Sequence, residues 1–239
     1  MIKNTDRICF LGDSITDGVG TTKRYIEYIA ERTGAKTYGF GVNGAQSTDL
    51  FSQLERLDKC VGENFDILFV LIGTNDFNSG VSLGEFFTEH IEEVPVNSNE
   101  KGEFTYYVSR KKREFVFDEA TFKGRLNKFF AFVKDKYYDK RIIIATPLHR
   151  AYAYFGGDNI QQNELYSNRT GEYLESYVEA VRKAADVWSV ELIDLYRESG
   201  LFPLIETSAA KYFNNVKTDR LHPNANGHER IAEVVLRRI

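Results

Sequence analysis

Compact apolar runs alternate with amphipathic stretches along most of the chain. "RICFL" at 7–11 is such a run, stopping at Gly12, and it predicts a strand. "KTYGF" (36–40), "DILFVLIG" (66–73), "RIIIATP" (141–147) and "VELIDL" (190–195) predict four more. The third and fourth of the five are apolar almost without interruption, as strands covered on both faces are. Between them, apolar residues recur at helical spacing. "KRYIEYIAERTG" (23–34) pairs Tyr25 with Ile29 and Ile26 with Ala30, and ends on Gly34. "STDLFSQLERLDKC" (47–60) predicts a helix with a Ser or Thr cap. "TFKGRLNKFFAFVKDKY" (121–137) follows, and "RTGEYLESYVEAVRKAADVW" (169–188) aligns Tyr173, Tyr177, Val181, Ala184 and Trp188 on one stripe. "NANGHERIAEVVLRRI" (224–239) predicts a closing helix, with Pro223 in its first turn and Asn224 near the cap. Strand–helix–strand repetition with doubly buried strands implies an α/β chain: a parallel sheet wrapped by helices.

Residues 83–118 break the pattern. "EFTYYVSRKKREFVFDEA" has two alternating segments around a basic stretch, which predicts a β-hairpin with "RKKR" (110–113) at its tip. We take it as an insertion at about 83–118 in a single domain spanning 1–239.

Composition adds exclusions. The net charge is -4, and "RKKR" is the densest basic cluster, so a nucleic-acid partner is not expected. No apolar stretch approaches a membrane span, so no membrane partner is expected. The first apolar run is too short for a signal peptide, and two cysteines are too few for a disulfide framework, so the expected location is cytoplasmic. Cys9 sits inside a predicted strand and reads as a small core residue.

Sites on parallel sheets lie at the carboxyl ends of the strands. Four polar stretches fall there: "GDSIT" (12–16), "GVNGAQS" (41–47), "GTND" (73–76) and "DRLHP" (219–223). Each has a local explanation as turn or cap chemistry. Together they are chemically complementary. Ser14 needs a base, His222 is one, and Asp219 lies three residues earlier, within reach of Nδ1 if both sit on one turn. Backbone N–H groups of Ser14 and Gly44 and the amide of Asn75 are donors for an oxyanion.

These four blocks, in this order, resemble the SGNH hydrolase superfamily, the GDSL-type esterases and lipases. The resemblance runs from near the first residue to near the last. It implies Ser14 as nucleophile, Gly44 and Asn75 as oxyanion donors beside Ser14 N–H, Asp219 as acid and His222 as base. It also implies a three-layer α/β/α sandwich on a five-stranded parallel sheet, flavodoxin-like, in the order 2-1-3-4-5. The chain departs from a compact member at 83–118, which bears on the substrate pocket and not on the catalytic set. The family includes lipases, thioesterases and carbohydrate acetylesterases. The expectation here is a serine esterase acting without cofactor or metal on a small-molecule or glycan ester, with a short acyl or O-acetyl group.

Other residues are weighed against this set. Asp13 reads as loop-anchoring and not as the acid. With His149, Tyr152 and Tyr154 it is a candidate substrate contact, Tyr152, Tyr154 and Phe155 being suited to stack on a sugar or to flank a short acyl chain. Asp76 reads as a turn residue. His90 reads as a surface residue on a polar helical segment, and His228 as facing out of the last helix or packing near its start. "GFGVNG" (39–44) fits G-x-G-x-x-G, so a dinucleotide-binding α/β protein is the first alternative. No strand ending in an acid follows about twenty residues later, which counts against it. A non-catalytic binding module on the same fold is the second alternative. The G-x-S-x-G elbow of α/β-hydrolases is absent around Ser14.

Overall fold

The computed structural model describes residues 2–239. Its first half runs β1 (Arg7–Gly12), α1 (Ser14–Asp17), α2 (Tyr25–Thr33), β2 (Lys36–Gly39), α3 (Leu50–Val61), β3 (Ile67–Leu71), α4 (Thr74–Asn78), β4 (Phe87–Ser98) and β5 (Phe104–Phe115). Its second half runs α5 (Phe122–Lys136), β6 (Arg141–Ala145), β7 (Ala153–Tyr154), β8 (Ile160–Gln161), α6 (Leu174–Trp188), β9 (Glu191–Ile193), α7 (Leu195–Glu198), α8 (Glu206–Tyr212), β10 (Phe213–Asn215), β11 (Asp219–Pro223) and α9 (Ala225–Arg238).

β2, β1, β3, β6 and β9 form the central sheet in that order, every pair parallel. Numbered among themselves they read 2-1-3-4-5, as expected. Strand alternation divides the core into two layers. Cys9, Leu11, Leu68, Val70, Ile142 and Ile144 face α3, α5 and α6. Ile8, Phe10, Ile67, Phe69 and Ile143 face α2 and α9. All five residues of β3 are buried, which is why its sequence shows no polar position. Each such aliphatic or aromatic side chain contributes about 1.5–3 kcal/mol by leaving water. Burial pushes the Cys9 thiol up to about 12, consistent with a core residue. Among the described residues no helix is long and apolar enough to cross a membrane.

Several local expectations change. The predicted Ser or Thr cap of α3 is absent: Ser47 lies in a short 3-10 turn capped by Gln46 and Asp49, and its hydroxyl donates to Asp76 instead. The helix expected from 169 starts at Leu174, because the Asn168 side chain accepts from the N–H groups of Thr170 and Glu172 and holds a turn there. The hairpin is present, but its tip is not basic. "RKKR" lies within β5, and the turn is closed by Asn99, whose Oδ1 accepts from Lys101 and Glu103 N–H, with Gly102 at φ 79°. His90 is on strand β4 opposite Lys112 and is exposed, so the surface reading holds and the helical one does not. "DRLHP" is β11, in a second sheet ordered β10-β11-β7-β8. Pro223 ends that strand, and Asn224 caps α9 through the N–H groups of Asn226 and Gly227.

Candidate active site

Ser14 is the first residue of α1, directly after β1. The turn is tight: a Cβ on Gly12 would lie 2.3 Å from Thr16 Oγ1 and 2.5 Å from Leu71 O, so only glycine fits. Gln53 on α3 locks the same residue. Its Oε1 accepts from Gly12 N–H and its Nε2 donates to Gly12 O, both at 2.8 Å, and it is fully buried. Asp13 caps α1 by accepting from Ile15 N–H at 3.0 Å. The strand end therefore cannot shift without breaking buried hydrogen bonds.

His222 arrives from the second sheet. Its Nε2 is 3.0 Å from Ser14 Oγ, and its Nδ1 is 3.0 Å from Asp219 Oδ2. Asp219 Oδ1 also accepts from the N–H groups of Leu221 and His222, at 3.1 and 3.0 Å, and Oδ2 from Asn214 Nδ2 at 2.9 Å. These contacts turn the carboxylate back over its own chain, so the three-residue spacing works on a bent strand end. Burial pushes the Asp219 carboxyl up, but the His222, Asn214 and backbone donors outweigh it and hold it below the usual range. Ser14, Asp219 and His222 are each at most 5 % exposed.

Gly44 is third in a four-residue turn closed by Ala45 N–H to Val42 O at 3.1 Å, with φ 79°, the conformation that favours glycine at that position. Nothing lies within 4 Å of where its Cβ would be, so the space above it is open. Among the described residues, Gly44 N–H and Ser14 N–H meet no protein acceptor. Asn75 Nδ2 donates to Ala45 O at 3.0 Å, which spends one of its two hydrogens and orients the other. Asp76 is the brace behind both loops. It is fully buried, accepts from Ser47 N–H at 2.9 Å and Ser47 Oγ at 2.6 Å, and pairs with Arg125 at 2.9 Å. The turn reading of Asp76 missed this, because its partner is 29 residues away.

Ser14, Gly44, Asn75 and His222 share one cleft of about 360 Å³, whose wall also includes Asn43, Phe155 and Gln161. Asp219 stands behind His222. The other predicted contacts lie elsewhere. Asp13 is 1 % exposed and faces the interior; His149 bonds Glu164 at 2.6 Å and packs on Tyr196; Tyr152 and Tyr154 are off the cleft wall. Phe155 takes their place, 5.4 Å from the His222 ring. Strand alternation explains the exchange: Ala153 is buried in β7 while Tyr152 and Tyr154 are exposed, so Phe155 falls on the Ala153 side, before the bend at Gly156. Asn43 was visible inside "GVNG", whereas Gln161 and Asn214 carry no local signal. His228 packs near the start of α9 and does not face out. It is fully buried on Tyr25, accepts from Tyr25 N–H at 3.1 Å, and burial pushes it down to about 3, so it is neutral and does not compete as a base.

Asp13 has one consequence for stability. Its Oδ2 has no partner, and burial pushes its carboxyl up to about 6. A folded pKa above the unfolded value near 4 means stability falls as pH rises from about 4 through 6. Asparagine keeps the cap and removes the charge. Asp13→Asn is therefore expected to exceed the wild type by about 2–3 kcal/mol at pH 8 and to match it below pH 4. Urea unfolding at both pH values checks this; a difference independent of pH counts against a buried ionisation.

The sequence profile of the GDSL-like lipase/acylhydrolase family matches residues 10–230. No curated protein sequence matches at a significant level. Solved structures share the fold. A protein from Lactobacillus plantarum is 22 % identical over 99 % of this chain and 97 % of its own, with a TM-score of 0.74. A possible lipase from Chitinophaga pinensis is 16 % identical over 96 % of each chain, at 0.68. An acetylxylan esterase from Geobacillus stearothermophilus is 18 % identical over 99 % of this chain and 96 % of its own, at 0.58.

Proposed function

This chain belongs to the GDSL-like lipase/acylhydrolase family, a family of acyl-ester hydrolases, and we propose that it is a serine esterase removing short acyl groups, O-acetyl above all, from a polar alcohol such as a sugar. His222 Nε2 takes the Ser14 proton as Oγ attacks the ester carbonyl. Asp219 holds the imidazole with its hydrogen on Nδ1 and stabilises the cation that forms. The oxyanion is met by Ser14 N–H, Gly44 N–H and the free Asn75 amide hydrogen; removing such a donor typically costs about 3 kcal/mol. The alcohol leaves with the proton from His222. Water, activated by the same base, then releases the acid from the Ser14 acyl-enzyme.

The observation that carries the substrate reading is the wall of the cleft. In a cleft of about 360 Å³, amides of Asn43, Asn159 and Gln161 stand among only a few apolar groups, Val19, Phe155 and Leu221. A long acyl chain needs an apolar channel to leave water; an acetyl group needs none, and amides suit hydroxyl-rich alcohols. The acetylxylan esterase with the same fold is consistent with this reading. The test is a series of p-nitrophenyl esters from acetate to octanoate, with an O-acetylated xylo-oligosaccharide alongside. kcat/KM is expected to be highest for acetate and to fall at least tenfold by octanoate. A rise with chain length overturns the short-acyl reading and leaves the esterase reading standing.

A further inference from the structure

The ribbon of β4 and β5 stands away from the body of the protein. Its root is held: the buried Asn127 amide donates to Phe86 O and Val116 O, both at 2.8 Å, and Phe115 stacks on Trp188 at 4.6 Å between centroids. Beyond the root the two strands pair only with each other, so both edges are open. Ile91 and Tyr107 are 64 % and 47 % exposed on one face, with Pro95 opposite Tyr107, and Tyr106 and Phe104 are 60 % and 62 % exposed on the other. A two-stranded ribbon with bare faces is marginal in water, and clustered exposed apolar side chains mark an interaction surface.

The charges on the ribbon are sorted by strand. β4 carries Glu89, Glu92 and Glu93; β5 carries Arg110, Lys111, Lys112 and Arg113, with Glu114. Across the ribbon Arg113 bonds Glu89 at 2.9 Å and Lys112 pairs with Glu92 at 2.6 Å. The four carboxylates balance the four cations. A balanced ribbon sets up no field to hold a polyanion or an anionic bilayer.

The sorting does fit a second ribbon of the same kind. Two copies joined edge to edge about a two-fold axis would set β4 against β4 or β5 against β5, like charges opposed. Two copies laid face to face, with the two-fold along the ribbon, set β4 of each over β5 of the other. On one face the cross-strand pairs are Glu89 with Arg113, Ile91 with Lys111, Glu93 with Ser109 and Pro95 with Tyr107. The two-fold lays Glu89 over Arg113 of the second copy, the Lys111 stem over its Ile91, Glu93 over its Ser109 hydroxyl, and Pro95 on its Tyr107 ring, twice each. We propose that this ribbon is a dimerisation arm whose occupant is the arm of a second copy of the chain, packed on that face. Strands of this length make a ribbon about 40 Å long and about 10 Å wide. With side-chain relief, its face approaches the ~800 Å² per partner of a stable interface.

Sedimentation equilibrium of the full chain tests the proposal. The wild type is expected at twice the chain mass at about 10 μM, with a Kd that weakens as salt rises from 50 to 500 mM. Ile91→Asp with Tyr107→Asp, both at exposed positions off the cleft, is expected to run as a monomer, its Kd at least 100-fold weaker. Hydrolysis of p-nitrophenyl acetate should be unchanged. A wild-type monomer at 100 μM overturns the proposal, as does a double variant that dimerises as tightly as the wild type. If the double variant fails to fold, the wild-type mass and its salt dependence decide.

Discussion

Ser14→Ala is expected to lower kcat for p-nitrophenyl acetate by about 10⁴-fold or more, the scale of loss when a triad nucleophile is removed. The oxygen deleted is the one 3.0 Å from His222 Nε2, and among the described residues no other hydroxyl lines the cleft. The fold should not notice. Ser14 Oγ satisfies no structural group besides His222, and alanine is a good residue for the first turn of α1. The expected result is an unchanged unfolding midpoint with activity near background. A fluorophosphonate probe should label the wild type at Ser14 and leave the variant unlabelled. Activity that survives the substitution would exclude Ser14 as nucleophile; unlabelled but folded wild type would favour a non-catalytic binding module.

Asp219→Asn is expected to cost about as much, on the order of 10⁴-fold in kcat, although the side chain keeps its shape. The reason lies in the other partners of the carboxylate. Leu221 N–H and His222 N–H both point at Oδ1, so the carbonyl oxygen of asparagine must take that position. Its NH₂ then occupies the Oδ2 position against His222 Nδ1. An NH₂ there demands an acceptor, which moves the ring hydrogen to Nε2, and a protonated Nε2 cannot accept the Ser14 proton. The single-turnover rate for p-nitrophenyl acetate should fall while its ground-state binding changes little. Asp219 also contributes to stability. Its folded pKa is depressed, so the contribution is present above the unfolded value near 4 and lost as pH falls through the folded value. The variant should lack this acid-side loss. An Asp219→Asn enzyme within tenfold of wild type would show that His222 finds its orientation elsewhere.

The two predictions draw on different kinds of information. Ser14 and the Asp219–His222 spacing are readable because turn chemistry and strand ends are local: apolar runs end where glycine and polar residues begin. The parallel sheet follows in the same way, from doubly buried strands separated by helices, whereas its strand order is what the resemblance of the four blocks implies. The aromatic loop after β6 shows where local reading stops. Tyr152, Tyr154 and Phe155 are alike in composition, and only the pairing of β7 between β11 and β8 decides which of them meets the cleft.

By itself the sequence determined the α/β class, the parallel sheet, and the four blocks to which the nucleophile, base, acid and oxyanion donors are assigned in the proposed function. Only the tertiary structure decided that the acid and base stand on a separate antiparallel sheet, that Asp76 and Gln53 brace the loops, that Asp13 points inward, and that the basic run lies along a ribbon and not at its tip. The physical reason is common to these cases. A buried polar group must find a partner, and that partner is chosen by distance in space: Gln53 reaches Gly12 across 41 residues and His222 reaches Ser14 across 208. Spacing along the chain records what neighbours can do, and folding decides which distant groups become neighbours.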